Sequence, residues 1–192
     1  MKGPKLLLVD NHDSFTYNIF DYLSRLGAEV IVKTIEKVLP EDFDSADGLI
    51  LSPGPGNPSK LPDLLHLIQK VVFRKPVLGI CLGHQALAHY VGAGIVKAAP
   101  MHGKISMVYR SREVPLLSGI PSKFQVVRYH SLLAERLPDC LLPILETADG
   151  DLMAFQHIRL PVMGIQFHPE AHLTEFGLVL LKNWLDVCVK IQ

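Results

Sequence analysis

The first half of the chain alternates short apolar runs with segments in which apolar residues recur every three or four positions. The apolar runs predict four buried strands, and the periodic segments predict helices between them. The strands are predicted at residues 5–9, 29–34, 48–51 and 77–80, and the helices at residues 15–26, 62–73 and 83–91. Because strands that alternate with helices are joined by right-handed crossovers, we expect an open, mostly parallel, twisted α/β sheet flanked by helices.

The second half has short strand-like runs with few helical segments between them. Four further strands are predicted at residues 105–109, 124–129, 152–157 and 162–167, and they indicate an antiparallel or mixed extension of the sheet. An amphipathic helix is predicted over residues 174–189, with Thr174 as its N-cap. We expect one domain over residues 1–192, since no repeat, low-complexity tract or linker divides the chain.

Composition changes this picture mainly by excluding classes of function. The formal charge is zero, from 19 basic and 19 acidic residues, and no basic block points to nucleic acid. No apolar run approaches the ~20 residues that cross a bilayer, and the N-terminal run is too short for a signal peptide. Cys81, Cys140 and Cys188 form neither a disulfide framework nor a zinc cage. We therefore expect a cytoplasmic protein that binds neither nucleic acid nor a membrane.

The segment GICLGHQ, residues 79–85, places one cysteine between two glycines, after a predicted strand and before a predicted helix. This is the spacing of a nucleophile elbow, with Cys81 in place of serine. Glycines on both sides let strand and helix approach closely, and a helix N-terminus favours the reactive thiolate. The N–H of Leu82 is then positioned as an oxyanion donor. A buried cysteine in a tight turn, with glycines that serve packing alone, has the same spacing.

The loop SPGPGNP, residues 52–58, follows the third predicted strand and should lie at the same sheet edge as Cys81. Gly54 and Gly56 allow backbone N–H groups to approach a ligand, so the loop is a candidate second oxyanion donor. It lacks the Gly-Lys-Ser/Thr ending of a phosphate loop, which argues against nucleotide binding. A proline-stiffened surface turn is the alternative interpretation.

The best candidate for a catalytic base among nine histidines is His168, which follows an apolar strand and precedes Pro169-Glu170. Residues two apart in an extended segment face the same side, so Glu170 can orient the His168 ring. The histidines on predicted helices, His66, His84 and His89, are expected to have surface or packing roles. An H-E-x-x-H pattern is absent from the sequence, and we expect no metal ion and no cofactor. By itself, a histidine at a sheet edge is commonly structural.

Together these segments resemble the class I (triad) glutamine amidotransferases. GICLGHQ, SPGPG and GIQFHPE match the family's nucleophile elbow, oxyanion loop and His-x-Glu segment in the family's order, and the resemblance extends from Leu6 to the last helix. It implies a flavodoxin-like fold and hydrolysis of L-glutamine to glutamate and ammonia.

A narrower resemblance rests on three further segments: DNHDSFTYN at residues 10–18, MHGK at residues 101–104 and RYHSL at residues 128–132. They are similar to the ammonia-supplying small subunits of anthranilate synthase and of aminodeoxychorismate synthase. The partner that this resemblance implies is a chorismate-using synthase large subunit, because 192 residues leave no room for a synthase domain. The polar loop at residues 10–14 is a candidate for the interface.

The resemblance also implies the role of each site residue. Cys81 would attack the glutamine side-chain amide, His168 would move the proton to the leaving ammonia, and Glu170 would orient His168. The N–H of Leu82 and the loop of Gly54 and Gly56 would hold the oxyanion. The residues implied to bind glutamine are Gly54, Gly56, Gln85, Ser131 and Leu132.

The chain departs from the family pattern at two positions. Ala171 and His172 follow His-Pro-Glu where the family usually has serine first, and His12 stands where tyrosine is frequent. Ala171 lacks a hydroxyl that could support the loop carrying Glu170, which bears on efficiency or partner control more than on mechanism. A stand-alone cysteine hydrolase of γ-glutamyl compounds and a silent regulatory subunit stay open as alternatives to the glutaminase.

Overall fold

The computed structural model describes residues 3–190, with side chains described as far as residue 187, so the side chain of Cys188 lies outside the described part. The helices of this part are α1 (Thr16–Arg25), α2 (Pro40–Ser45), α3 (Pro62–Val71), α4 (Leu82–Tyr90) and α5 (Gly177–Lys190). Single turns of 3-10 helix occupy Ile35–Lys37, Pro58–Lys60 and Pro115–Leu117. No helix that the structure describes has the length and apolar content needed to cross a membrane.

Eleven strands are present in the described part of the chain. They are β1 (Lys5–Asp10), β2 (Glu29–Thr34), β3 (Gly48–Leu51), β4 (Val77–Ile80), β5 (Gly94–Lys97), β6 (Lys104–Arg110), β7 (Lys123–Arg128), β8 (Leu132–Glu135), β9 (Leu141–Thr147), β10 (Leu152–His157) and β11 (Val162–Ile165). Nine of them form one sheet in the order β2-β1-β3-β4-β11-β10-β9-β6-β7, and β5 pairs with β8 separately.

The large sheet has a parallel part and an antiparallel part, which confirms the predicted fold class. Strands β2, β1, β3, β4 and β11 are parallel to one another. Strands β10, β9, β6 and β7 extend the sheet in antiparallel pairs. The prediction for the strand at residues 162–167 is corrected in two respects: it ends at Ile165, and it is the fifth parallel strand, beside β4.

Alternate residues of the parallel strands enter two separate hydrophobic layers, because successive side chains of a strand point to opposite faces. Leu6 and Leu8 of β1 pack into the layer that contains Trp184 of α5. Leu7 and Val9 pack into the layer covered by α3 and α4. The sheet is therefore buried on both faces, which is why β3 and β4 consist of wholly buried residues.

The last helix begins at Gly177, not at Thr174, so the prediction of Thr174 as an N-cap is wrong. The Thr174 hydroxyl is used elsewhere: it donates to the His168 carbonyl at 2.7 Å and accepts from the Val127 N–H at 3.0 Å. Those two bonds hold the residues before α5 against the sheet. Helix α2 and strands β5, β8 and β9 were not predicted from the sequence.

Candidate active site

Cys81 lies in a strained turn between β4 and α4, as the glycine spacing predicts. Its backbone has φ 50° and ψ −99°, and a residue with a side chain rarely adopts a positive φ. A Cβ added to Gly79 would lie 2.4 Å from the backbone carbonyl of Gly83, so the strand and the helix touch through their glycines. The Cys81 N–H donates to the Ile165 carbonyl at 2.8 Å, which ties the elbow to β11.

The structure brings His168 and Glu170 to the same place because β11 lies beside β4. Ile165 is paired with Ile80 in the ladder, so the segment after β11 runs alongside Cys81. His168 Nδ1 lies 2.6 Å from Glu170 Oε1, and both residues are buried. The bond at Nδ1 leaves His168 Nε2 facing the Cys81 thiol. Nε2 makes no hydrogen bond of standard geometry with any residue of the described chain.

Burial and charge act on His168 in opposite directions. Desolvation is the largest effect and lowers the pKa of His168, because burial disfavours the imidazolium. The nearby Cys81 sulfur, together with the hydrogen bond and charge of Glu170, outweighs it and raises the pKa of His168 to about 10. The raised pKa therefore favours the protonated His168 ring at neutral pH.

Leu82 and Gly54 lie against each other at the mouth of the elbow. Leu82 is the first residue of α4, where backbone N–H groups have no acceptor within the helix. A Cβ on Gly54 would lie 2.8 Å from Leu82 Cδ2 and 2.7 Å from the Asn11 carbonyl, so only glycine allows this approach. Gly56 is exposed, with φ 97°, and a Cβ added to it would have no heavy atom within 4 Å.

Asn11 fixes the start of this loop, which the sequence did not indicate. Its Nδ2 donates to the Ser52 carbonyl at 2.9 Å, and its N–H donates to Ser52 Oγ at 2.9 Å. Both residues are buried. The polar segment after β1 therefore positions the predicted oxyanion loop through the two hydrogen bonds between Asn11 and Ser52.

Gln85, Ser131 and Leu132 meet on the other side of the elbow. Gln85 Nε2 donates to the Leu132 carbonyl at 3.0 Å. The Ser131 carbonyl accepts from the Ala98 N–H at 2.9 Å, and the Ser131 side chain is exposed. The three predicted ligand-binding residues are thus neighbours, and both backbone carbonyls already accept a hydrogen bond.

Two aromatic rings enclose the His168 imidazole, a contact that the sequence did not predict. The Tyr129 ring lies 5.1 Å from that of His168, and the Phe15 ring lies 5.5 Å from it, both edge-on. Tyr129 and Phe15 also contact each other at 5.3 Å. The DNHDSFTYN and RYHSL segments therefore converge on the candidate base, and Cys81 is only 6% exposed.

A buried polar network supports the RYHSL segment from behind. The Arg128 guanidinium lies 2.6 Å from Asp151 Oδ2, and Arg128 Nε donates to His130 Nε2 at 3.0 Å. Burial first, and then the charge of Arg128, lower the pKa of His130 to about 4. His130 is thus neutral at physiological pH and serves as an acceptor that fixes Arg128.

The histidines on helices take the surface and packing roles that the sequence predicts. His84 is fully buried against the Phe155 ring, and desolvation lowers the pKa of His84 to about 3, so it packs as a neutral ring. His66 is exposed and His89 is half-buried. In the part of the chain that the structure describes, no three His, Cys, Asp or Glu side chains are grouped to hold a metal ion.

The sequence matches the model of the family "Glutamine amidotransferase class-I" over residues 7–188. Anthranilate synthase component 2 of Azospirillum brasilense is 43% identical over 97% of this chain and 98% of that protein. Aminodeoxychorismate/anthranilate synthase component 2 of Bacillus subtilis is 38% identical over 94% of this chain and 95% of that protein. Aminodeoxychorismate synthase component 2 of Serratia marcescens is 42% identical over 94% of this chain and 99% of that protein.

Two solved structures share the fold. A Thermoplasma acidophilum protein, provisionally assigned to GMP synthase, superposes with a TM-score of 0.90 at 28% identity, over 100% of this chain and 96% of that one. A glutamine amidotransferase from Thermotoga maritima superposes with a TM-score of 0.78 at 18% identity, over 99% and 100%. At that identity the second likeness concerns the fold alone.

Proposed function

This chain belongs to the class-I glutamine amidotransferase family, and from that premise we propose that it is the glutaminase subunit of a chorismate-using synthase. It hydrolyses L-glutamine to glutamate and ammonia, and it passes the ammonia to the synthase subunit. The observation that carries the proposal is the meeting of Cys81, His168 and Glu170 at the ends of two adjacent parallel strands.

The reaction begins with attack of the Cys81 sulfur on the side-chain amide carbon of glutamine. The sulfur attacks as its thiolate, with the proton carried by His168, whose pKa is raised. The carbonyl oxygen becomes an oxyanion, which the Leu82 N–H and the loop at Gly54 are placed to stabilise. His168 then gives its proton to the departing nitrogen, the C–N bond breaks, and ammonia leaves.

The product of this half-reaction is a γ-glutamyl thioester on Cys81. Neutral His168 next accepts a proton from water while the water oxygen attacks the thioester carbon. Collapse of the second oxyanion breaks the C–S bond, and glutamate and the free thiolate result. Glu170 keeps the ring oriented through its hydrogen bond with Nδ1.

The synthase partner is supported by the relatives, since those at about 40% identity are named as component 2 of anthranilate or aminodeoxychorismate synthase. The burial of Cys81 and His168 also favours a subunit whose site opens only on assembly, and we expect low glutaminase activity without the partner. We propose that the chain forms one domain over residues 1–192, and the family match over residues 7–188 supports this extent. We also place the protein in the cytoplasm.

The test separates glutamine use from ammonia use. With Cys81→Ser in the assembled complex, glutamine-dependent product formation should be abolished, while synthesis from added ammonium salts continues at the wild-type rate. Loss of both activities would contradict a separable ammonia supply. Rapid glutamine hydrolysis by the lone wild-type chain, insensitive to the partner, would instead favour a stand-alone hydrolase.

A further inference from the structure

Gln166, in the segment GIQFHPE, is a buried polar residue that lies outside the Cys81–His168–Glu170 triad. It follows β11 directly, and its backbone N–H donates to the Met153 carbonyl at 2.8 Å. The residue is 0% exposed. Its Oε1 accepts a hydrogen bond from Gln85 Nε2 at 2.9 Å. Gln85 therefore contacts two segments, the start of β8 and the end of β11.

The hydrogen bonds determine which way the Gln85 amide faces. A backbone carbonyl can only accept, so the group that faces the Leu132 carbonyl at 3.0 Å must be the Gln85 NH2. The second hydrogen of that NH2 goes to Gln166 Oε1. Both donors of Gln85 are thus used inside the protein, and the amide cannot be flipped without losing two bonds.

One polar atom of Gln85 is left for a ligand, and it is an acceptor. No described residue donates to Gln85 Oε1. Gln166 Nε2 is a fully buried atom without a hydrogen-bond partner in the described chain. Gln85 Oε1 is not among the fully buried atoms without a partner, so it retains accessible surface. Of the head groups of an amino acid, only the α-ammonium donates hydrogen bonds, so it is the group that this oxygen can recognise.

We infer that Gln166 is a positioning residue, which holds the Gln85 amide with its oxygen toward the α-ammonium of bound glutamine. This inference rests on the proposed function, since it names how that site reads its substrate. Gln166 lies two residues before His168. The backbone after β11 therefore positions His168 directly and Gln85 through the side chain of Gln166. Without Gln166 the amide pivots about the single bond to Leu132, and its NH2 then opposes the ammonium.

The test compares two electrophiles that label Cys81 in the chain assembled with its synthase subunit, followed by mass spectrometry. The diazo-ketone analogue of L-glutamine carries the α-ammonium, whereas iodoacetamide does not. Gln166→Met removes the acceptor at nearly constant length. One lost hydrogen bond should slow labelling by the glutamine analogue about 3–10-fold, with labelling by iodoacetamide unchanged.

Two matched variants control this comparison. Gln156→Met makes the same chemical change at a half-buried glutamine of β10 that makes no hydrogen bond with Gln85, and it should alter neither rate. Gln166→Glu keeps an oxygen toward Gln85 and replaces only the partnerless Nε2, so it should restore labelling by the analogue. If Gln166→Met does not fold, Gln166→Asn withdraws the acceptor by one methylene and takes its place.

The outcomes separate the inference from the function on which it rests. Unchanged labelling by the analogue in Gln166→Met overturns the positioning role, and so does an equal slowing with both electrophiles, which would show damage to Cys81 itself. If wild-type Cys81 shows no preference for the glutamine analogue over iodoacetamide, the proposed glutaminase function fails instead.

Discussion

Glu170→Gln is expected to lower the pKa of His168, because it removes the buried carboxylate that lies 2.6 Å from Nδ1 while keeping an acceptor oxygen. Two unit charges ~4 Å apart interact by ~4 kcal/mol at an effective dielectric constant of ~20. An opposite charge at such range shifts a pKa by about one to three pH units, and each unit equals about 1.4 kcal/mol. We therefore expect the pKa of His168 to fall from about 10 by that amount.

The same change should alter stability in a defined pH window. The folded pKa of His168 is raised above 6.5, so its stabilising contribution is complete below pH 6.5 and is lost as pH rises through about 10. Wild type should exceed Glu170→Gln by about 1–4 kcal/mol in free energy of unfolding at pH 7. The difference should disappear above pH 10, where the ring is neutral in both proteins.

The assays are an NMR titration of the His168 ring and urea denaturation at several pH values. Glu175→Gln is the control, since it makes the same substitution at an exposed carboxylate of the same segment, one that accepts from the Gln125 N–H. It should leave the pKa of His168 in place. An unchanged pKa of His168 in Glu170→Gln, or a stability difference that does not vary with pH, would refute the electrostatic role of Glu170.

Two further substitutions test the supports of the site by urea denaturation. Asp151→Asn removes the charged partner of the buried Arg128 guanidinium and should lower the free energy of unfolding by about 1.5–3 kcal/mol, while Asp149→Asn, at an exposed neighbour, should not. Thr174→Val leaves the Val127 N–H and the His168 carbonyl without their hydrogen-bond partner. It should lower the free energy of unfolding by about 1–3 kcal/mol and should also lower the rate of glutamine hydrolysis. Ala171→Ser should leave turnover unchanged, because Thr174 already holds this loop; a clear gain in turnover would contradict that.

Several elements were not predictable because their signals are short or interrupted. Strand β9 contains Pro143, which argues against an interior strand, and the structure accommodates it through register shifts in the pairing with β10. Strands β5 and β8 have only four residues each, and several of these residues are half-buried or exposed. Their apolar pattern is therefore weak. The start of α5 was predicted wrongly because the sequence does not distinguish a threonine that caps a helix from one whose hydroxyl bridges a loop, as Thr174 does.

The sequence by itself determined the chemistry that local backbone geometry can encode. Glycines around Cys81 predict a strained turn at the end of a strand, because that geometry depends only on near neighbours. The contact of His168 with Glu170 was predicted from an extended segment, and that reason is wrong: the two residues lie in a turn after β11, where the Ala171 N–H donates to the His168 carbonyl at 3.3 Å. The pairing of β11 with β4, by contrast, is a long-range choice that no periodicity specifies, and it alone brings His168 to Cys81. The same pairing turns Gln166 from one more polar residue of a strand end into the partner of Gln85, since a hydrogen bond between residues 81 positions apart exists only after the sheet is assembled.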